Sequence, residues 1–112
     1  MTPTQRSLAL LRKEGYDAQV VEKWIPGANI RKDLWEFIDI VGVAEDGSLV
    51  FVQVTTASNL SARIKKAKQV DAYQALARGG HRIEFHGWKK EPQGKRARYV
   101  LRRETVNGGS PR

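Results

Sequence analysis

Apolar and polar residues follow a strand-like pattern along two neighbouring segments in the middle of the chain. Residues 37–43 and 49–56 each place apolar side chains on both faces of an extended strand, which is typical of a central pair covered on both sides. The loop Glu45-Asp46-Gly47 between them carries glycine at its third position, where a three-residue hairpin loop needs a left-handed residue. We therefore predict an antiparallel hairpin over residues 36–56.

One acidic residue interrupts the apolar pattern of this hairpin. A three-residue loop puts Asp39 opposite Gln53, whereas a two-residue Asp46-Gly47 turn would put it opposite Val54. We favour the longer loop because it gathers the polar side chains in one place. Burying a carboxylate is unfavourable by several kcal/mol unless a cation or hydrogen-bond donors meet it, and a divalent metal is one such partner.

The segments before the hairpin predict a helix, a strand and a loop. Thr2 can cap a helix that continues with Pro3 and Gln5, and Gly15 ends it. The apolar stripe of this helix is expected to comprise Leu8, Ala9 and Leu11. Residues 16–24 read as a strand and residues 25–33 as a loop rich in turn residues.

The segments after the hairpin predict one long helix and two more strands. Apolar residues at helical spacing predict a single helix from Leu60 to the Gly79-Gly80 pair. Residues 81–89 read as a strand, residues 91–94 as a turn, and residues 95–106 as a last strand with Tyr99 and Leu101 pointing inward. Residues 1–106 are predicted to form a single domain, and residues 107–112 a disordered tail.

The composition favours a polyanionic partner. The 112 residues carry a net charge of +8, and no apolar run approaches the roughly 20 residues needed to span a bilayer. There is no cysteine, which excludes disulfides and thiolate metal sites, and the first residues do not resemble a signal peptide. We expect a cytoplasmic protein without a membrane partner, and the simpler alternative is a basic protein whose charge only aids solubility.

Basic residues cluster in three segments: the loop before the hairpin, the start of the long helix and the last two strands. Between residues 89 and 103 there are seven basic residues and one acid, with aromatic residues interleaved, which suits contact with a nucleic-acid backbone and bases. Ordinary solvated faces, or edge charges that prevent aggregation, would look similar. The candidate nucleic-acid-binding residues are Arg31, Lys32, Asn59, Arg63, Lys66, Trp88, Lys89, Lys90, Lys95, Arg96 and Arg98. His81 and His86 are expected at the surface or a sheet edge rather than as metal ligands.

The predicted order of elements, with an acid on one hairpin strand and a polar-x-polar pair on the next, resembles the PD-(D/E)XK nuclease superfamily. The resemblance covers residues 3–90, and the run from Trp24 through RKDLWEFID to VQVTTASN is similar to small phage and bacterial proteins. It implies an α/β (α+β) restriction-endonuclease-like fold with an αβββαβ core. A central mixed sheet would be flanked by helices, and a basic strand would follow at the C-terminal end.

The resemblance also implies an activity, namely Mg²⁺- or Mn²⁺-dependent hydrolysis of phosphodiester bonds in DNA, including branched or phage DNA. Asp39 would be the core acid, and Gln53 and Thr55 would occupy the acid-x-Lys pair, in which neither matches the usual residue. The missing cation would come from Lys65 or Lys66, with Arg63 as an alternative. The metal ligands would be Asp39, Gln53, Asp33 and Glu22, with Glu14 as an alternative to Glu22.

Two other functions fit the same residues. The first is a nucleic-acid-binding module of the same fold that has lost catalysis together with the acid-x-Lys pair. The second is a structural protein in which Asp39 forms a core ion pair with Arg31 or Arg63. Under the nuclease hypothesis we expect DNA rather than RNA as partner, a bacterial or phage-infected cytoplasm as location, and a homodimer as one assembly to test.

Overall fold

The computed structural model describes residues 1–28 and 30–108, except for the side chains of Trp24, Ile30 and Arg31. Three helices and seven strands make up this part of the chain, together with a 3₁₀ turn at Ala57–Asn59. The elements are α1 (Pro3–Lys13), β1 (Asp17–Val20), β2 (Lys23–Ile25), β3 (Ile30–Lys32), β4 (Ile40–Val43), β5 (Leu49–Thr56), α2 (Leu60–Ala67), α3 (Asp71–Arg78), β6 (Arg82–Gln93) and β7 (Arg96–Val106).

Five of the strands form one mixed sheet in the order β1-β4-β5-β6-β7. All neighbours are antiparallel except β5 and β6, which are parallel and are connected through α2 and α3. Strands β2 and β3 form a separate antiparallel hairpin. The predicted α+β class with a mixed central sheet is therefore confirmed. Among the described residues, no helix is both long and apolar enough to cross a bilayer.

The turn of the central hairpin is the predicted three-residue loop. The Ala44 N–H donates to the Ser48 carbonyl at 2.8 Å, and Val43 pairs with Leu49. Gly47 closes the loop with a φ of +86°, a conformation that disfavours any residue with a Cβ. The hairpin register predicted from the loop is confirmed for residues 40–43.

The first hairpin strand starts later than predicted, at Ile40. Ile40 pairs with Val52, and the N–H of the preceding Asp39 also donates to the Val52 carbonyl, at 2.9 Å. Two successive residues thus face Val52, as in a β-bulge. Residues 34–38 form a tight turn in which Trp35 and Glu36 have left-handed φ angles of 49° and 69°. The prediction that residues 37–39 continue the strand is wrong, because this turn returns the chain to the sheet only at Asp39.

The sheet is covered on both faces, and α1 packs on one of them. Its capping box is formed as predicted, with the Gln5 N–H donating to Thr2 Oγ1 at 3.1 Å. Leu11 and Ser7 are buried, whereas Ala9 is exposed, so the predicted apolar stripe is wrong at Ala9. The core on the α1 face comprises Leu11, Ala18, Ile40, Val50, Val52 and Val54.

The opposite face is covered by α2 and α3, which were predicted as one helix. The break lies at residues 68–70, where Val70 adopts an extended conformation and begins α3 as its N-cap. This break lets Tyr73 pack edge-on against Phe37, with ring centroids 5.8 Å apart. The core on this face comprises Phe37, Ile38, Phe51, Leu60, Ala67, Tyr73, Ile83 and Phe85.

Strands β6 and β7 extend beyond the rest of the sheet. β5 pairs with β6 only as far as Trp88, so residues 89–93 and 96–100 pair only with each other. We call residues 89–100, which comprise these two segments and the turn between them, the basic arm. Residues 91–93 belong to β6, and the turn is the two-residue Gly94-Lys95, so the predicted four-residue turn is wrong. The Asn107 amide donates to the carbonyls of Ala77 and His81, and residues 109–112 lie outside the described residues.

Candidate metal centre

Three carboxylates converge at the start of the central hairpin. Glu22, Asp33 and Asp39 each contribute one oxygen, and these oxygens all lie within 4.8 Å of one another. Asp39 is buried, with 5% of its surface exposed, and the other two are half-buried. The structure therefore brings together three of the four predicted metal ligands. Glu14, the alternative ligand, lies elsewhere and forms an ion pair with Arg103.

The β2–β3 hairpin explains why Glu22 and Asp33 meet. Lys23 pairs with Lys32 at the open end of this hairpin. In the same antiparallel register, the residues immediately outside that pair are Glu22 and Asp33. The hairpin therefore holds the two acids side by side at its base.

Two backbone hydrogen bonds attach this base to Asp39. The N–H of Val21, which precedes Glu22, donates to the Asp39 carbonyl at 2.8 Å. The N–H of Leu34, which follows Asp33, donates to the Ile38 carbonyl at 3.0 Å. The three acids are thus separated in sequence but fixed to adjacent points of the backbone.

Asp39 has an electrostatic environment that favours its protonated form. The pKa of Asp39 is raised from 3.8 to about 8. Burial is the largest cause, and the hydrogen bond with Asp33 and the charges of Asp33 and Glu22 add to it, whereas the hydrogen bond from the Val54 N–H lowers the pKa. The Val54 N–H donates to Asp39 Oδ2 at 2.8 Å. For Asp39 this one donor does not offset burial beside two further acids, and a proton or an added cation would each relieve that cost.

Gln53 lies beside this cluster in the chain and in the sheet. Its two neighbours on β5, Val52 and Val54, are the residues that hydrogen-bond to Asp39. Gln53 is 3% exposed, and its Oε1 has no hydrogen-bond partner among the residues described. A buried oxygen without a partner is unfavourable by roughly 1–3 kcal/mol, so this atom is available to a ligand. Thr55 is also buried and pairs with Gly87. Its hydroxyl is uncharged, so it cannot take the role of the lysine that the resemblance expects at this position.

The predicted catalytic cations form no ion pair with the acids among the described residues. Arg63, Lys65 and Lys66 are exposed on α2, and no ion pair links their described side chains to the cluster. The alternative core ion pair between Asp39 and Arg63 is therefore absent. The Arg31 side chain, the other proposed partner, lies outside the described side chains.

The predicted nucleic-acid-binding residues are mostly exposed. Glu91 lies 3.6 Å from Arg98 and 4.0 Å from Lys89, which leaves most of the positive charge of the basic arm without a protein partner within the described region. The exposed candidates are Lys32, Asn59, Arg63, Lys66, Lys89, Lys90, Lys95, Arg96 and Arg98.

The two aromatic residues near the basic arm are less available than predicted. Trp88 is half-buried, and its indole N–H donates to Ser7 Oγ at 2.8 Å. Tyr99 is 38% exposed rather than inward, with the guanidinium carbon of Arg6 3.3 Å from its ring centroid. Both rings already have intramolecular partners, a hydrogen bond in one case and a cation–π contact in the other.

A second set of buried polar side chains, Ser7, Glu84 and His86, lies on the α1 face and was not predicted from the sequence. His86 is fully buried, so its predicted surface position is wrong. The ionised Glu84 carboxylate can only accept, so His86 Nε2–H donates to it at 2.8 Å. In that tautomer Nδ1 accepts from the Ser7 hydroxyl at 2.7 Å, and Ser7 Oγ accepts from the Trp88 indole. Alternation along β6 puts Glu84, His86 and Trp88 on one face, which is the signal that could have revealed them.

This second group is saturated with internal contacts. Arg82 and Arg103 donate to Glu84 at 2.6 and 2.7 Å, and Arg103 also forms a bidentate pair with Glu14. Burial opposes ionisation of Glu84, but hydrogen bonds from His86 and Arg82 and the charge of Arg103 lower its pKa to about 2. The Ser-His-Glu order resembles a hydrolytic triad, but all three residues are 0% exposed, so the network is structural.

Comparison with known proteins adds no second line of argument. No protein-family model, no curated protein and no solved structure matches this chain. The function is therefore argued from the carboxylate cluster and the basic surface.

Proposed function

We propose that this protein is a metal-dependent nuclease that cleaves phosphodiester bonds of DNA at the cluster of Glu22, Asp33 and Asp39. The observation that carries the proposal is the convergence of three acidic oxygens within 4.8 Å of one another, one of them from the buried carboxylate of Asp39. The PD-(D/E)XK resemblance supports the same interpretation, since it assigns Asp39 the role of core acid.

The residues of the cluster fit a hard divalent cation. Carboxylate and amide oxygens are the ligands that Mg²⁺ and Mn²⁺ prefer, and Mg²⁺ keeps several waters when one or two carboxylates bind it. Gln53, which lies between the two β5 residues that hydrogen-bond to Asp39, adds a buried neutral oxygen without a partner among the described residues. A cation bound here would replace the protons that the cluster otherwise retains.

In this mechanism the protein positions the reacting groups. Glu22, Asp33 and Asp39 would hold the metal, which would supply a water of lowered pKa and positive charge for the scissile phosphate. The Val54 N–H fixes Oδ2 of Asp39, which orients the carboxylate and leaves the other oxygen as a ligand. The β2–β3 hairpin presents Glu22 and Asp33 on one side of the site, and its Lys23–Lys32 pair adds positive charge that attracts the phosphate backbone.

A specific observation favours a second candidate, a nucleic-acid-binding module without catalysis. Thr55 stands where the resemblance expects a lysine, and Lys65 and Lys66 are exposed without contact to the acids. A nuclease without a cation near its attacking water loses part of its transition-state stabilisation. In that case the acids would bind a structural metal, and the basic arm would carry the function.

Cleavage assays with matched variants separate the two candidates. Labelled duplex, nicked, branched and single-stranded substrates are incubated with Mg²⁺, Mn²⁺ or EDTA, using the wild type, Asp39→Asn and the control Glu45→Gln. Glu45 is an exposed acid in the hairpin loop, so its variant matches the change of charge. Metal-dependent cutting by the wild type and the control, lost in Asp39→Asn, supports the nuclease.

The remaining outcomes are equally informative. Absence of cutting with every metal, together with binding that weakens steeply with salt, supports the binding module. Affinity that stays flat across a salt titration contradicts both candidates, because each depends on the basic surface.

A further inference from the structure

A groove of about 640 Å³ lies where the basic arm leaves the main sheet. We call it the Thr56 groove. The residues that line it include Thr56, Ser58, Lys89, Lys90, Val100 and Arg102. This volume falls in the range of roughly 300–1,000 Å³ that is typical of small-ligand pockets.

The groove results from close packing at Gly87. A Cβ at Gly87 would lie 3.0 Å from the Ala57 Cα and 3.1 Å from Leu60 Cδ2, so the 3₁₀ turn rests directly on β6 there. Beyond Gly87 the pairing between β5 and β6 ends at Trp88, while β6 and β7 continue as the basic arm. The 3₁₀ turn therefore forms one wall of the groove, and the arm forms the other.

The chemistry of the groove suits an anion attached to an apolar group. Lys90 and Arg102 have no ion-pair partner in the described part of the chain, and Lys89 has only Glu91, at 4.0 Å. No acidic residue lines the groove. The hydroxyls of Thr56 and Ser58 lie 3.2 Å apart and are exposed. Half-buried Val100 adds an apolar surface between these polar groups.

The groove is close to the carboxylate cluster along β5. Val54, whose N–H holds Asp39, is followed two residues later by Thr56. Two residues of a strand span about 7 Å. The Thr56 end of the groove therefore lies about two strand residues from the point where β5 holds Asp39, which is about the spacing of neighbouring phosphates along a nucleic-acid strand.

We propose that the Thr56 groove binds an unpaired nucleotide, and hence that the substrate contains a single-stranded segment. In a duplex the base faces are stacked inside, so an apolar concave surface would meet only phosphates. An unpaired nucleotide offers an exposed base face to Val100 and a phosphate to Lys90 and Arg102. This inference rests on the proposed function for the identity of the polyanion, and it names the substrate class of the same site.

Binding measured without metal tests the inference separately from cleavage. Fluorescence anisotropy in EDTA compares a labelled single-stranded oligonucleotide with a duplex of the same sequence. The test variant is Ser58→Glu, which places a negative charge in the groove. The control is Ser61→Glu, an exposed position on α2 that does not line the groove and changes the net charge equally.

We expect Ser58→Glu to weaken single-strand binding about tenfold and Ser61→Glu to weaken it less than threefold. We expect duplex binding to change equally and only slightly in both variants. Thermal melting within a few degrees of the wild type confirms that both variants fold.

Equal weakening by the two variants, or a duplex that loses as much affinity as the single strand, would overturn the groove inference. A wild type that cuts duplex DNA but binds single strands no better than duplex would overturn the inference and leave the proposed nuclease intact. Single-strand binding that depends on Ser58, with no cutting under any metal, would support the groove and contradict the nuclease.

Discussion

Two buried carboxylates on this sheet have opposite environments. Asp39 is 5% exposed and has two acids as neighbours, which, together with burial, raise its pKa to about 8. Glu84 is 0% exposed but receives hydrogen bonds from His86, Arg82 and Arg103, and its pKa falls to about 2 in spite of burial. Burial alone therefore does not mark a functional acid. The difference lies in the described neighbours of each carboxylate, which are two acids for Asp39 and the side chains of His86, Arg82 and Arg103 for Glu84.

The Glu84 network and the Asp39 cluster differ in how their oxygens are hydrogen-bonded. The network of Glu84 joins α1 to β6 and β7 through Ser7 and Arg103, and every described acid oxygen in it has a partner. The cluster of Asp39 instead brings three carboxylates together, and the neighbouring strand residue Gln53 has a buried oxygen without a hydrogen-bond partner among the described residues. The first stabilises the fold, and the second is the site of the proposed metal.

Removal of Glu84 has the largest expected effect on stability. Glu84→Gln leaves Arg82 and Arg103 without their shared carboxylate, and breaking a buried pair in this way destabilises by about 3–5 kcal/mol. Urea unfolding at pH 7 measures the change. The matched variant Asp39→Asn should leave the free energy of unfolding unchanged or higher. Comparable large losses in both variants would contradict the distinction between the two groups.

The pH dependence of stability should differ between the two carboxylates. The folded pKa of Asp39 is raised, so the folded state retains a proton that the unfolded state releases, and stability falls as pH rises from about 4 to about 8. The folded pKa of Glu84 is lowered, so its contribution is present above about 4.5 and is lost as pH falls towards 2. Melting temperatures in EDTA across this range measure both effects.

Asp39→Asn tests the pH dependence further, because it should remove the loss of folding stability that the wild type shows between pH 4 and pH 8. The variant should gain about 1 kcal/mol or more over the wild type at pH 8 and little at pH 4. Addition of Mg²⁺ should stabilise the wild type more at pH 8 than at pH 5, since metal competes with the retained proton. A pH-independent difference between the two proteins would show that Asp39 does not titrate in this range.

Gln53 should have a smaller and more selective effect. Gln53→Leu removes the unpartnered oxygen, so stability without metal should stay equal or rise. The Mg²⁺-induced rise in melting temperature should shrink, corresponding to a metal affinity about tenfold weaker. Thr55→Val on the same strand is the control, because it also removes a buried polar group. An equal metal response in wild type and Gln53→Leu would exclude Gln53 as a ligand.

The smallest effect is expected from the exposed lysines of α2. Lys65→Ala and Lys66→Ala should each weaken DNA binding about twofold and reduce the salt slope by about 1. Cleavage at saturating DNA should not change, since neither side chain contacts the acids. A loss of turnover of a hundredfold or more in either variant would restore the predicted catalytic role of that lysine.

Much of the local structure could be predicted because short segments encode it. The loop with Gly47, the capping box of Thr2 and Gln5, and the end of α1 near Gly15 all depend on a few neighbouring residues. The helix break at residues 68–70 and the turn at residues 34–38 were not predicted. No proline or glycine occurs in these segments, and tertiary packing decides their conformation.

The sequence alone determined that Asp39 is an acid in an apolar segment and that Glu22 and Asp33 are acids earlier in the chain. Only the tertiary structure decided that the three meet, because the β2–β3 hairpin and the Val21 and Leu34 hydrogen bonds fold distant residues to one point. Likewise, the sequence predicts a strand that contains His86, but only the packing of α1 against the sheet buries this side chain. Local conformation follows from neighbouring residues, whereas convergence of distant charges depends on how the whole chain packs.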